Sequence, residues 1–394
     1  MSICGGYLLN SHKSRYFVSK GMWLLIVPML ILIFGGIVMI GSAEGWVYAS
    51  DSFEIDPLML RQAIGLLLGL VLIFLIQRCS YELLKFAAVP FYVVSLLLLV
   101  LVLFYGSGAE EGDEVRRWLD FPGEISIQPS EIAKVAQILL FATLFDRLKD
   151  KIDRLWLIIL LVMMALIFLF LIYKEPDLST TMVLFAVTAA CFYASGISGW
   201  YILIVFLLML IGGFFLYQDA LSESPRILNP YQVERILAWL SPEDYALTTA
   251  YQTVQSRMAI GSGGLFGKGL FHNSGLVPIA TTDFIFGIIG EELGLVGCGC
   301  LILLYLWICI RILWIGARSE DLFGKIICSG TAVMIGFQSV VHMGVTTAVL
   351  PNTGLPLPFV SYGLSSLIAN MAAIGLVLRI DAENNNLRNR GYFL

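Results

Sequence analysis

The chain has 394 residues, of which 58% are hydrophobic and only 13% charged, and its mean hydropathy is +0.86. That composition leaves too little polar surface for a soluble protein of this length and points to an integral membrane protein. The net charge of −5, gathered largely in the acidic segments 44–56 and 110–124, argues against a nucleic-acid partner.

A bilayer core requires roughly 20 apolar residues per helix. Ten runs meet that need, at 22–40, 58–76, 83–105, 128–145, 155–173, 178–197, 199–217, 283–310, 326–345 and 356–378. They are continuous rather than alternating, which sets a β-barrel aside. The expected fold is therefore an all-α polytopic bundle of about ten transmembrane helices, with a long extracytoplasmic loop, 218–282, between the seventh and eighth. A cytoplasmic N-terminal segment 1–21 precedes a single membrane domain 22–379, and 380–394 form a cytoplasmic tail.

Cytoplasmic loops hold an excess of Lys and Arg. With the N-terminus inside, fifteen of the 24 basic residues fall in inner segments. The short outer loops hold Arg116, Arg117 and Lys174, and the long loop holds Arg226, Arg235, Arg257 and Lys268. Both termini are thus expected inside. A basic leader before an apolar run also fits a cleaved signal peptide ending near Gly41-Ser42-Ala43, but the run is long for one. The seven cysteines form no disulfide framework, and His12, His272 and His342 show no metal-ligand spacing. A Walker loop, a GxGxxG motif and a DxD are all missing from the sequence.

In chain order, the purposeful polar residues gather at the outer ends of the spans. Loop 106–127 ends in Arg116-Arg117-Trp118, which read equally as interfacial anchors or ligand contacts. The next helix opens Gln128-Pro129-Ser130-Glu131, ordinary helix-start grammar, and then places Lys134 about one turn inside the membrane. Lys134 is either the partner of Glu131 at i, i+3 or a residue facing a cavity. Lys174-Glu175-Pro176-Asp177 starts the sixth span, with the acidic pair readable as capping.

The long loop carries Asn229-Pro230-Tyr231-Gln232, Glu234-Arg235, Arg257, and a glycine-dense run, Gly261 to Gly269, that reads as a phosphate cradle with Lys268 or as a flexible connector. Asp283, at the start of the eighth span, is either a first-turn helix residue or a catalytic acid. Glu291 and Glu292 lie roughly 12 Å further in and call for a polar interior, with Lys134 or another basic residue as partner. The segment Pro351 to Gly363 holds three prolines, a broken backbone that a membrane tolerates only where protein or a cavity covers it.

These blocks, at 116–134, 175–180, 230–269, 282–294 and 351–370, together closely resemble the SEDS family (shape, elongation, division and sporulation) of bacterial cell-wall polymerases, over nearly the whole chain. Pro230-Tyr231-Gln232, Ala259 to Gly264 and Leu355 to Gly363 look more like the elongation branch, RodA, than the division branch, FtsW. The resemblance implies polymerisation of lipid II, an undecaprenyl-diphosphate-linked disaccharide pentapeptide, outside the cytoplasmic membrane, in cell elongation and rod shape. It maps the essential aspartate onto Asp283, as general base or as anchor for a divalent cation (Mg or Mn), and the motif arginine and tryptophan onto Arg117 and Trp118. Substrate contacts are expected at those two residues and at Glu131, Lys134, Asp177, Arg235, Arg257, Lys268, Ser361 and Tyr362. No other cofactor is implied; the partner implied is a class B penicillin-binding protein, a transpeptidase. The chain departs from the family pattern at Ala280-Thr281, where relatives often have His-Thr, at Ser179 in place of Gly, and at Leu364 in place of a second Gly. Two rival readings remain: a transporter that flips lipid II, supported by Lys134, Glu291 and Glu292, and a non-catalytic scaffold for a transpeptidase.

Overall fold

The computed structural model describes residues 20–45, 56–108, 116–122, 125–151, 154–175, 177–222, 225–226, 228 and 230–389. The expected features at 1–19, at Pro176 and Asn229, at most of the acidic segments 44–56 and 110–124, and at 390–394 lie outside them. The described chain forms twelve α-helices: α1 (Lys20–Ala43), α2 (Pro57–Arg78), α3 (Tyr81–Tyr105), α4 (Pro129–Arg147), α5 (Leu155–Lys174), α6 (Leu178–Ala194), α7 (Gly199–Ala220), α8 (Pro230–Leu240), α9 (Tyr251–Ser262), α10 (Ile285–Ala317), α11 (Leu322–Thr346) and α12 (Leu364–Asn389). One antiparallel hairpin, β1 (Leu119–Phe121) with β2 (Ile125–Ile127), stands before α4 with Asp120 opposite Ser126. Among the described residues, seven helices are long and apolar enough to cross a membrane: those at 21–43, 57–78, 81–105, 155–174, 285–317, 322–346 and 364–386.

Local chemistry sets the helix starts. Asp56 caps α2 through Leu58 N at 2.7 Å with Pro57 at the first helical position, and Asp321 caps α11 through Gly324 N at 3.1 Å. Large side chains on the outer helices face outward: Phe86 and Phe104 are 70% and 68% exposed, as lipid-facing residues of a bundle would be. The interior helices are α4, buried along nearly its whole length, α11 and α12. Helix α11 packs on α4, α6 and α10, while α12 lies along α2.

The polar network sorts to the two ends of the bundle. At one end Lys85 pairs with Asp146 at 2.7 Å, the Tyr81 hydroxyl donates to Asp321 at 2.9 Å, and Arg379 Nε donates to the Cys79 carbonyl at 3.0 Å. The opposite end collects the described residues among 106–128, 175–177, 221–284 and 347–363, cross-linked by hydrogen bonds from Gln128 N to Ser365 Oγ, Arg117 to the Glu175 carbonyl, Arg235 to the Asn352 carbonyl and Tyr362 N to the Thr281 carbonyl.

Three expected boundaries shift. The last helix begins at Leu364 rather than at 356, because Pro356 and Pro358, two residues apart, each remove an amide donor and crowd the preceding turn, and it continues to Asn389, through most of the expected tail. The expected loop 218–282 contains α8 and α9, and α9 packs its buried Ser256 and Ala259 against α10 and its surroundings. The eighth span, α10, is broken at Gly294 (φ 65°, ψ −163°).

The glycine-rich run fills that break. Lys268 N and Gly269 N donate to the Glu291 and Glu292 carbonyls at 2.9 and 3.0 Å, and Leu295 N and Val296 N donate to the Gly264 and Leu265 carbonyls at 3.0 and 3.1 Å. These amides and carbonyls substitute for the helical bonds that the kink removes, so the backbone stays satisfied at depth. The approach is close enough that a Cβ on Gly294 would lie 2.4 Å from Gly267 N. Gly294→Ala should therefore lower stability by on the order of 1–3 kcal/mol, the cost of a strained backbone residue, read as a fall in melting temperature in detergent. Gly299→Ala on the same helix, where a methyl group meets nothing within 4 Å, should melt at or above the parent.

Candidate active site

Asp283 sits half-buried on the turn before α10. The segment 351–363 lies over it, and Gly354, at φ 68°, comes so near that a Cβ there would be 3.1 Å from Asp283 Oδ2. A side chain at 354 would be strained and would crowd the carboxylate.

The proline-broken segment is fixed from every side. Ser361 Oγ donates to the Thr282 carbonyl at 2.6 Å and accepts from Leu357 N at 2.8 Å, and Tyr362 N donates to the Thr281 carbonyl at 2.8 Å. Gln62 of α2 donates to the Ser361 carbonyl at 3.1 Å and accepts from Gly363 N at 3.3 Å. Gln338 of α11 donates to the Pro356 carbonyl at 2.9 Å, and His342 Nδ1 lies 2.6 Å from the Leu355 carbonyl, which requires the ring proton on that nitrogen. Ser179 donates to the Thr353 carbonyl and the Tyr305 hydroxyl to that of Pro358. Ser361 thus fixes the backbone beneath Asp283, while Tyr362 is half-buried next to it in sequence.

Cations approach from two sides. Arg117 and Trp118 are presented by a bridge to the end of α3, where Arg117 N and Trp118 N donate to the Ser107 carbonyl at 2.9 and 3.3 Å. Arg117 Nε donates to the Glu175 carbonyl at 3.2 Å. From α8, Arg235 donates to the Asn352 carbonyl at 3.0 Å, and Arg257 of α9 lines a cleft with Arg235, Trp239, Thr253 and Asn352. Burial pushes the Asp283 carboxyl up to about 6; the Arg235 and Arg117 guanidinium groups hold it from going higher, and the charge of Asp177 adds to the rise.

Asp177 caps α6, accepting from Thr180 N at 2.9 Å and Thr180 Oγ1 at 2.7 Å, with Gln128 Nε2 at 3.4 Å. Capping and proximity to the site hold together for this residue. Its neighbour Glu175 was visible in sequence only as half of a capping pair; the structure buries it completely. The polar residues Gln62 and Gln338 were likewise visible inside apolar runs, and they are what holds the loop.

Three other expected site residues, Glu131, Lys134 and Lys268, are held in ion pairs. Lys134 is fully buried, 2.8 Å from Glu131 Oε1 and 2.9 Å from Gln338 Oε1, a closed group below the loop. Lys268 pairs with Glu291 at 2.6 Å, about two turns along α10 from Asp283. Glu291 therefore has Lys268 as its basic partner rather than Lys134, and the glycine run spends its amides on α10 instead of forming an open anion cradle. Among the described residues no three His, Cys, Asp or Glu side chains form a metal-holding group.

Residues 22–386 match the family model FTSW_RODA_SPOVE, described as cell cycle protein. A relative from Trichlorobacter lovleyi named "Probable peptidoglycan glycosyltransferase FtsW" is 36% identical over 370 residues, covering 91% of this chain and 92% of its own. The "Peptidoglycan glycosyltransferase MrdB" of Escherichia coli is 32% identical over 375 residues, covering 92% and 94%. The crystal structure of the Rod shape determining protein RodA of Thermus thermophilus aligns with a TM-score of 0.66 at 30% identity, over 92% of this chain and 97% of that one. A chain from the structure described as "Structural coordination of polymerization and crosslinking by a peptidoglycan synthase complex" aligns with a TM-score of 0.75 at 33% identity, over 92% and 98%.

The closed Lys134 group carries a prediction. Lys134→Met alone strands Glu131 as a buried charge and should destabilise the protein by about 3–5 kcal/mol, whereas Lys134→Met with Glu131→Gln should recover most of that loss. Thermal melts of the purified variants decide it; a single variant as stable as the parent would mean that Lys134 does not hold the bundle together.

Proposed function

The chain belongs to the FtsW, RodA and SpoVE family of cell-cycle proteins, the SEDS family, and on that footing we propose that it is a multi-pass membrane peptidoglycan glycosyltransferase that polymerises lipid II. The observation that carries the reading is one half-buried carboxylate, Asp283, shared between the charges of Arg235 and Arg117 at one end of the bundle.

Both substrates arrive on polyprenyl tethers, so the reacting sugars must meet where helix ends reach water. The acceptor 4-hydroxyl attacks the donor's anomeric carbon. A bond forms between them, the bond from that carbon to the diphosphate oxygen breaks with its electron pair, and the configuration inverts. The hydroxyl proton passes to Asp283. A carboxyl held at about 6 is ionised at neutral pH yet more basic than an ordinary aspartate, which suits a general base. Charge gathers on the departing undecaprenyl diphosphate, and Arg117, Arg235 and Arg257 are the side chains available to stabilise it. Asp283 is the side chain that would hold a divalent cation, which would supply Lewis acidity there.

The transporter reading draws on the intramembrane charges Lys134, Glu291 and Glu292, and these are engaged within the protein: Lys134 with Glu131, Glu291 with Lys268, and Glu292 with Ser42 and Asn273. The likeness to a chain of a peptidoglycan synthase complex supports a class B penicillin-binding protein as partner, with the chain acting as a polymerase within such a pair rather than as a bare scaffold. The same reading puts the protein in the bacterial cytoplasmic membrane, with the Asp283 end outside and both termini in the cytoplasm. Relatives of the FtsW and MrdB types match at similar identity, so the shared chemistry is what the likeness carries furthest; the motif likeness to RodA favours a role in elongation.

Asp283→Asn should fold and melt like the parent but lose about 10²- to 10⁴-fold in polymerisation rate, the usual worth of a general base. Gel analysis of glycan made from lipid II by purified protein checks this, and a near-parent rate would remove Asp283 from the mechanism. The pH dependence has a defined sign. Protonated Asp283 cannot accept a proton, so the parent's rate should rise through about pH 6 and level off by neutral pH.

A further inference from the structure

A second carboxyl, Glu175, shares two charged neighbours with the first, Arg117 and Asp177, and the reaction as written leaves it idle. Glu175 closes α5, its amide bonded to the Leu171 and Ile172 carbonyls at 3.2 and 3.1 Å. Its side chain is 0% exposed, and neither carboxyl oxygen has a hydrogen-bond partner. An ionised carboxylate in that position would lack every donor it needs, which is among the costliest arrangements a protein can hold.

The charged groups around it explain how it is accommodated. Arg117 is engaged with the Glu175 backbone carbonyl at 3.2 Å. Asp177, two residues on, contributes a like charge, and its own oxygens are taken by Thr180 and Gln128. Lys174 turns its ammonium toward the Phe170 ring, 5.6 Å from the centroid. Burial pushes the Glu175 carboxyl up to about 9, Asp177 adds to the rise and Arg117 opposes it. Asp283 feels the same Arg117 and Asp177 and, in addition, Arg235 from α8. Two carboxyls near one arginine are thus divided by their surroundings into an anion and a neutral acid, a separation that assigns different roles to each.

A neutral carboxylic acid owns an O–H donor, and in this structure that donor has no acceptor. The proposed substrate brings an excess of acceptors on its diphosphate. A carboxylate at this point would repel them, whereas an acid would bind them. We infer that Glu175 acts as a neutral carboxylic acid that donates a hydrogen bond to a phosphate oxygen of the lipid-linked diphosphate. The inference rests on the glycosyltransferase reading above. No covalent step is involved: the proton stays on Glu175, and the hydrogen bond strengthens as negative charge builds on the leaving group.

The test uses the full-length protein and undecaprenyl diphosphate as probe, with binding measured between pH 7 and 10 for the parent, Glu175→Gln, Glu175→Ala and Asp177→Asn, and with lipid II polymerisation measured over the same range. One pH unit above its midpoint only about a tenth of an acid stays protonated, so the parent should bind about tenfold more weakly at pH 10 than at pH 7. Glu175→Gln keeps a neutral N–H donor and should match the parent at pH 7 without the alkaline loss; Glu175→Ala should bind weakly throughout. Asp177→Asn retains a helix-capping side chain but removes the charge that raises Glu175, and should move the alkaline loss to lower pH. The inference is overturned if Glu175→Gln keeps the parent's alkaline loss, if Glu175→Ala binds like the parent at pH 7, or if Asp177→Asn leaves the midpoint in place. A protein that binds the probe with the expected profile yet makes no glycan from lipid II would overturn the glycosyltransferase reading and leave the Glu175 assignment standing.

Discussion

Backbone that leaves helical geometry inside a membrane bundle must have its polar groups satisfied by something other than water, and the segment 351–363 is where this protein meets that constraint. Its prolines remove donors and prevent a helix, and its carbonyls are taken up by Gln62, Gln338, Ser179, Tyr305 and His342, drawn from α2, α6, α10 and α11. Because four helices hold the segment, its position relative to α10 is fixed. That fixity sets Gly354 against the Asp283 carboxylate and Ser361 against the Thr282 carbonyl. The site is therefore a consequence of how a broken backbone is kept satisfied.

The charges fall into two groups for the same reason. Two of those within the bundle are paired locally, Lys134 with Glu131 and Gln338 and Glu291 with Lys268 and Ser274, while Glu292 is met by the neutral donors Ser42 and Asn273. Those at the end of the bundle spend their hydrogen bonds on backbone carbonyls, as Arg117 does on Glu175 and Arg235 on Asn352. A guanidinium that donates to a carbonyl still carries its positive charge, and on the proposed reading those charges act on Asp283 and on an anionic leaving group alike. Burial pulls the other way on Asp283, and the balance sets its carboxyl at about 6. Glu175, more deeply buried and with no contribution from Arg235, is pushed up to about 9 by burial and by the charge of Asp177, with Arg117 opposing.

Much of this was legible in the sequence. Runs of apolar residues are long signals, and helices occupy all ten of the expected runs. The Glu131–Lys134 spacing foretold a pair, because i, i+3 neighbours share a helix face. The motif blocks placed Asp283 at a helix start and next to no particular partner; Arg235, from a segment about fifty residues earlier in sequence, was brought there by tertiary contacts that have no local signature. The glycine-rich run misled for a related reason. Glycine density reports that backbone must come close to something, and says nothing of whether that something is a phosphate or another helix; here it is the kink at Gly294. Helices α8 and α9 were absorbed into one long loop because their few apolar residues, between polar stretches, fall below the membrane-helix signal. Glu175 read as a cap because its surroundings are set by tertiary neighbours such as Arg117, which is not near it in sequence.

The account requires the Asp283 carboxylate to face the outer water boundary of the cytoplasmic membrane, where lipid-tethered sugars can reach it. The most direct measurement is accessibility: Asp283→Cys in a chain whose seven native cysteines are replaced by serine, labelled in intact spheroplasts with a membrane-impermeant thiol reagent. The account predicts labelling from outside without permeabilisation, with protection by added lipid II. Labelling that appears only once the cytoplasmic face is opened would contradict it.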